Sequence, residues 1–501
     1  MPGSPISRLP NDILYHIFVI CMRNALSSGS YTDRIHLKKR RTWIRVTHVC
    51  QRWRSIALNC ASLWNTPHFE IPELAATMLN RAKSTPLYLE ANLTDSFAPF
   101  PVLEGACNDI SRIAGLRISA RTHELNQLLS GKTQPAPLLE YLEICSLSVI
   151  FRYNLPENLF KSETPRLREL ALVGCNFDTS MFQCHKLTKL IVRTGDSASM
   201  KGLPEALESM PHLYHLELEG NLPSMITVRQ DLEINLPRLS CIRLRGLFVD
   251  CAGLLHCINI PATAAVSVVG IVRTPDLSQV LVACVSRLFY QSTPLSADRV
   301  IKELTLDTTR LTPAHPRFTF TASDLRSGQE PSVSIRLVDC PAIYSMPNVK
   351  ADLLARSILA ILPLIHLQDL QLSVNGGFDA KHYSEYFGSL DKLQNIRVGG
   401  KSAPEFVASI SQNYPALKSV AFHDVDYGVY NFMNALTGSL KRRSDEGRAV
   451  ERFEVKKSRN FTENEAKLLK ALVGTLDWDC AECKEEWDFD VEREFWTSLI
   501  G

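Results

Sequence analysis

The chain has 501 residues, 45% of them apolar and 22% charged, with a formal net charge of +2. That length exceeds one ordinary compact core, so it implies several domains or a repeat array that grows without a larger core. The charge excludes a bulk attraction to nucleic acid or anionic membrane, and the apolar content excludes wholesale disorder. The opening MPGSPISRLP has no basic region followed by an apolar core, so no signal peptide is expected. The longest apolar stretches, such as 261–272, fall short of the ~20 residues a membrane span needs. The 14 cysteines follow no framework spacing, and Cys50, Cys241 and Cys284 lie in apolar stretches. They read as buried thiols of a reducing compartment, cytoplasm or nucleus, where the sequons at Asn92 and Asn460 are idle.

The first predicted element is LPNDILYHIF at 9–18. Ile13, Leu14, Ile17, Phe18 and Cys21 recur at helical spacing and are assigned to one face, with Pro10 and Asp12 at the start. A basic insertion at about 23–41 follows; from Arg34 to Arg54 it and its flank carry eight Lys/Arg. It reads as a solvated loop, with nuclear import or phosphate contact as the alternatives. VTHVCQRWRSIAL at 46–58 then places Val46, Val49, Cys50, Trp53 and Ala57 on a second helical face. Leu58, Leu63 and Trp64 close the segment. So many large apolar side chains exceed what a helical piece of this size covers alone. They await either a partner or the end of the following array.

The two stretches together resemble an F-box. LPNDILYHIF is similar to its Leu-Pro-x-acid opening, and VCQRWRSIALNCASLW to its Val-Cys-basic-x-Trp half. The long insertion between the halves is similar to F-box proteins of mushroom-forming (basidiomycete) fungi. The resemblance implies docking on a Skp-family adaptor, and through it on a cullin, within an SCF ubiquitin ligase. By family position, Leu9, Pro10, Ile13, Leu14, Ile17 and Phe18 would lie in or behind that interface, with Val49 and Trp53 helping.

Residues 67–110 read as a connecting segment. SGKT at 130–133 echoes a phosphate-binding loop, but the required glycine is Asn126 and no strand precedes it. From 139 onward a six-residue pattern, apolar-x-x-apolar-x-apolar, recurs. It starts at 139, 167, 187, 213, 239, 301, 367, 393, 417 and 450. The intervals after 239 and 301 are near doubles, and SVSIRLVD at 332–339 and AAVSVVGI at 264–271 are candidates for weaker copies. Each copy predicts a short strand with apolar positions inward. Stacked copies form a parallel sheet with helices on the return path. Pro137, Pro165, Pro211, Pro237 and Pro415 precede five copies, and 204–210 and 404–411 read as return helices. The pattern resembles an irregular leucine-rich-repeat array; only Cys175, Asn221 and Asn375 carry its Asn/Cys position. An ordinary α/β domain is the alternative.

If the array is of this type, the third and fifth positions line one face. These are Tyr141 and Glu143, Glu169 and Ala171, Lys189 and Ile191, His215 and Glu217, Cys241 and Arg243. Further along come Glu303 and Thr305, Asp369 and Gln371, Asn395 and Arg397. Their mixed signs fit a protein target better than a polyanion. Thr462 and Glu465 make a capping box for a helix from about 463 to Gly474. The tail at 476–501 is acidic and aromatic, and Cys480 and Cys483 form a lone CxxC without further zinc ligands. No catalytic motif and no cofactor site is found.

The expected fold is therefore α/β: a helical F-box at 4–66, a connection, a leucine-rich-repeat-like solenoid at 111–475 and the tail. The expected function is a non-catalytic substrate receptor of an SCF-type ligase. The alternative is a protein-binding scaffold with no role in ubiquitination.

Overall fold

The computed structural model describes residues 5–479, apart from 27–38, 40, 94–99, 149–152, 177–183, 195–199, 201, 224–231, 274–276, 291–298, 309, 313–314, 317, 325–331, 340–350 and 375–377. The CxxC pair, all of the acidic tail after Asp479, Asn375 and most of the basic insertion lie outside the described residues; the tail's first residues, 476–478, belong to the last strand. The chain divides into two compact units, Met1–Leu213 and Tyr214–Gly501.

The first unit opens with helix α1, Asn11–Leu26, followed by a 3-10 turn at Thr42–His48 and helix α2, Gln51–Asn59. The sequence predicts one helix through 46–57; the structure breaks it at Val49 and Cys50. Val46, Thr47 and Val49 are β-branched, and their restricted χ1 angles disfavour helix. Cys50 ends the break as the N-cap, its Sγ accepting from the Trp53 N–H at 3.5 Å. Cys50 is consequently exposed rather than a core thiol, Cys241 is half-buried, and Cys284 alone of the three is buried as expected.

After helix α3, Pro72–Ala82, come the strands of the main sheet: β1 (Leu87–Asn92), β2 (Ile113–Ala120), β3 (Tyr141–Ser146), β4 (Glu169–Val173) and β5 (Lys189–Arg193). All pair in parallel, each with the next. The segment predicted as a connection thus carries the first strand of the sheet. β2 carries the six-residue signature as IAGLRI at 113–118, a copy the sequence reading passed over, whereas β1 has Pro86 where the first apolar residue would stand.

The second unit carries β6 (His215–Glu219), β7 (Cys241–Leu247), β8 (Ala265–Val272), β9 (Glu303–Asp307), β10 (Phe318–Ser323), β11 (Val333–Asp339), β12 (Asp369–Ser373), β13 (Asn395–Gly399), β14 (Ser419–His423), β15 (Arg452–Lys456) and β16 (Thr475–Trp478). Each predicted copy begins a strand at its third position, with the fourth and sixth positions buried, as in Leu216 and Leu218. Helices fill the return path, among them Leu203–Glu208 before β6, Ala403–Ile410 before β14 and Glu463–Lys470 before β16. The last has its predicted cap, the Thr462 N–H donating to Glu465 Oε2 at 3.0 Å.

The two long intervals have a structural cause. β8 occupies the first. In the second, the chain doubles back: β10 runs antiparallel to both β9 and β11. β8 pairs with β11 and β9 with β12, both in parallel. A hairpin reversal needs no return helix, so the spacing between helix-linked copies is lost there. This α/β, solenoid-like build leaves one row of side chains from each strand on the sheet face opposite the buried row, many of them half-buried.

Candidate functional site

Two kinds of surface stand out: the helical N-terminal segment, and the outward rows of the sheets. In α1, Leu14, Phe18 and Met22 point into the unit, Leu14 and Phe18 with no exposure at all. The Phe18 ring sits 5.0 Å from half-buried Trp53, and Trp43 meets Trp64 edge-on at 5.3 Å. The Trp64 Nε1–H donates to the Ala57 carbonyl at 2.9 Å, and the Arg81 guanidinium lies 4.4 Å over its ring. Arg52 ties α2 to the start of α1, donating to the Leu9 carbonyl at 2.5 Å and Asn11 Oδ1 at 2.8 Å.

The other side of α1 faces solvent. Ile13, Ile17 and Ile20 are 45%, 36% and 56% exposed, and Val49 is 59% exposed. Successive helix positions turn by about 100°, so residues 13, 17 and 20 form one stripe and 14, 18 and 22 another. The predicted single face is therefore two faces. Leu14 and Phe18 are core, Pro10 is exposed, Leu9 is half-buried, and Cys21 is exposed. Ile20 was missed because ILYHIFVICM is apolar almost throughout, so periodicity cannot separate the stripes; Ile6, 49% exposed, stands in the preceding turn.

On the first unit's sheet face, Tyr141, Glu143, Glu169, Ala171, Lys189 and Ile191 do converge, lining a groove of about 130 Å³ with Arg117 and Arg193. Its charges are largely matched. Arg117 donates to Glu143 Oε2 at 2.5 Å and lies 3.5 Å from Glu90, while Lys189 is 3.9 Å from Glu169. Tyr88 and Tyr141 stack 6.0 Å apart across Gly115, where an added Cβ would lie 2.2 Å from the Tyr141 ring. Gly115 and Arg117 are the third and fifth positions of IAGLRI at 113–118 and were readable by the same rule; for Glu90 the alternation L-Y-L-E at 87–90 was the available signal.

In the second unit, His215 and Cys241 are register neighbours, and His215 Nε2 lies 3.6 Å from Glu217 Oε2. The Cys241 sulfur and then the Glu217 carboxylate hold the His215 imidazole up at about 9, against the opposing effect of burial. A group whose pKa rises on folding binds its proton more tightly in the folded chain. Its stabilisation is therefore complete below the ordinary value near 6.5 and is lost as pH rises through about 9. A histidine-selective NMR titration is expected to place the His215 midpoint near 9, with Glu217→Gln lowering it. A midpoint near 6.5 in both chains would refute this account. His423 goes the other way: burial lowers it, despite Glu454 Oε1 at 3.3 Å.

Glu303, Thr305, Asp369, Gln371, Asn395 and Arg397 also converge, in a groove of about 470 Å³ completed by Arg452 and Glu454. The last two are the third and fifth positions of the copy at 450 and were readable by the same rule. Arg243 lies beside Glu217 in register, outside this groove.

SGKT follows the C-terminal end of the helix Thr122–Leu129, where carbonyls rather than amides are free, and so cannot cradle phosphate. No helix among the described residues is long and apolar enough to cross a membrane.

No curated protein matches the chain. Residues 6–70 match the family model described as F-box-like, and these are the residues that build the tryptophan-centred core and the exposed Ile13, Ile17 and Ile20 stripe. The chain thus carries an F-box-like domain at its N-terminal end, ahead of a parallel-dominated α/β repeat.

Proposed function

We propose that this chain is the substrate-recognition subunit of an SCF-type, cullin-RING ubiquitin ligase. The F-box-like domain binds a Skp-family adaptor, and the adaptor links the chain to a cullin. The leucine-rich-repeat-like sheet face holds a protein target. The chain contributes no catalytic residue; it raises the target's effective concentration beside the transferring subunits. Such a complex works in the cytoplasm or nucleus.

The observation that carries the reading is the coincidence of the F-box-like match at 6–70 with an uncovered apolar stripe on α1. Covering the exposed part of each isoleucine stabilises a complex by about 0.5–1.5 kcal/mol. By family position Leu9, Pro10 and the exposed Val49 would add to that surface, whereas Leu14 and Phe18 are buried and, with Trp53 against Phe18, would act from the core side. Co-expression with a Skp-family adaptor tests the proposal. A stoichiometric complex that survives size-exclusion chromatography is expected. A scaffold without a ubiquitination role predicts that the two proteins elute apart, and that outcome would end the receptor reading.

A further inference from the structure

Among the described residues, the charges in the second unit's larger groove are not all paired. Arg452 is matched by Asp477 at 3.3 Å and Glu454 at 3.5 Å, and Lys456 by Glu454 at 2.9 Å. Glu303 and Asp369, adjacent in register on β9 and β12, are not so matched. Glu303 accepts from the Ser323 hydroxyl at 2.7 Å and Asp369 from the Asn395 amide at 2.6 Å. Neither forms an ion pair among the described residues. Burial, with Glu303 beside it, pushes the Asp369 carboxyl up even though the Asn395 amide and, more weakly, the Arg397 charge pull it down. Arg397, on the next strand, is exposed and donates to the neutral Gln371 Oε1 at 3.3 Å. Beyond it the floor is built from the small side chains of Ser419 and Ala421.

The groove therefore has an acidic pole and a basic pole, each without a contact ion pair among the described residues, beside a shallow floor. We propose that it holds an extended segment of a protein target in which a Lys or Arg and an Asp or Glu lie two to four residues apart. The cation sits on Glu303 and Asp369, and the carboxylate takes the fork of Arg397. The spacing follows from sheet geometry. Arg397 lies one strand and two residues from Asp369, and two strands from Glu303, or about 8–12 Å at ~4.8 Å per strand and ~3.3 Å per residue. An extended chain covers that distance in two to four residues. A polyanion fits poorly, because it meets the acidic pole first.

This inference deepens the target-holding part of the proposed function and rests on it. A random 12-residue peptide library displayed on phage, panned on the immobilised full-length chain, is the direct test. Enriched peptides are expected to pair a basic with an acidic residue at that spacing. Their binding, measured by fluorescence anisotropy on synthetic copies, is expected to weaken about ten-fold in Arg397→Gln and in Glu303→Gln/Asp369→Asn. The first variant releases the requirement for the acidic residue and the second the requirement for the basic one, with unfolding midpoints unchanged. Failure to enrich peptides over bare support, or enriched peptides indifferent to both variants, overturns the proposal. Adaptor co-elution is scored separately. Peptide binding without adaptor leaves the groove standing and removes the ligase reading; adaptor binding without peptide does the reverse.

Discussion

A chain carrying Ile13→Asp and Ile17→Asp together is expected to fold normally and to elute free of its Skp-family adaptor. Both side chains stand on the solvent side of α1, 45% and 36% exposed, so carboxylates there meet water in the free chain. In the complex the same carboxylates would replace about 1–2.5 kcal/mol of apolar burial, a loss of roughly 10–10² in affinity before their own desolvation is added. The contrast with Leu14 makes the experiment diagnostic. Leu14 is fully buried, and Leu14→Ala is expected to cost about 2–5 kcal/mol of stability through the cavity it leaves. Adaptor loss in that variant reports unfolding, not contact. Circular dichroism and the unfolding midpoint separate the two cases. A double variant that keeps its adaptor would show that the exposed stripe is not the docking surface.

Arg443→Met is expected to give the largest loss of stability in the second unit. Arg443 is fully buried inside the helix Phe432–Asp445. Its Nη1 donates to the carbonyls of Ile410 at 3.1 Å and Asn413 at 2.7 Å, and its Nη2 to that of Tyr414 at 3.1 Å. These carbonyls end the preceding helix, Ala403–Ile410, and its turn, where Tyr414 adopts a φ of 62°. A cation there also meets the negative end of the helix dipole. Burial, and to a lesser degree Arg448, lowers the guanidinium to about 10, so it remains charged at neutral pH. Methionine keeps much of the volume but strands three carbonyls. At about 1–3 kcal/mol for each buried group left unmade, the loss is several kcal/mol. The checks are the unfolding midpoint and hydrogen exchange across 403–414, which should lose protection first. Arg443→Lys is expected to recover part of the loss, since an ammonium satisfies some but not all of the fork's geometry. A methionine variant with unchanged exchange would contradict this role.

Arg443 also shows where local reading stops. In KRRSDE it looks like part of a solvated charge run, and nothing nearby in the chain reveals that carbonyls some thirty residues earlier surround it. Arg299 is a second case: 4% exposed, it donates to the carbonyls of Leu288, Ala264 and Pro261.

The repeat was legible from the chain alone. Two-residue alternation carries Leu142 and Ile144, or Leu216 and Leu218, to the inner face whatever the neighbours are. Proline and capping residues act within a few positions of themselves, so the start of the helix at 463–470 was placed correctly and each strand begins two residues into its predicted copy. The F-box resemblance rested on the same kind of local signal. Three features were decided only by tertiary packing. Which stripe of α1 faces in depends on where Trp53, Trp43 and Trp64 stand, because the helix is apolar on both stripes. The reversal of β10 depends on pairing between distant strands. The unmatched poles at Glu303, Asp369 and Arg397 exist because register sets each beside a neutral or like-charged neighbour. Local chemistry specifies which way a side chain points; only the folded neighbourhood specifies what it meets.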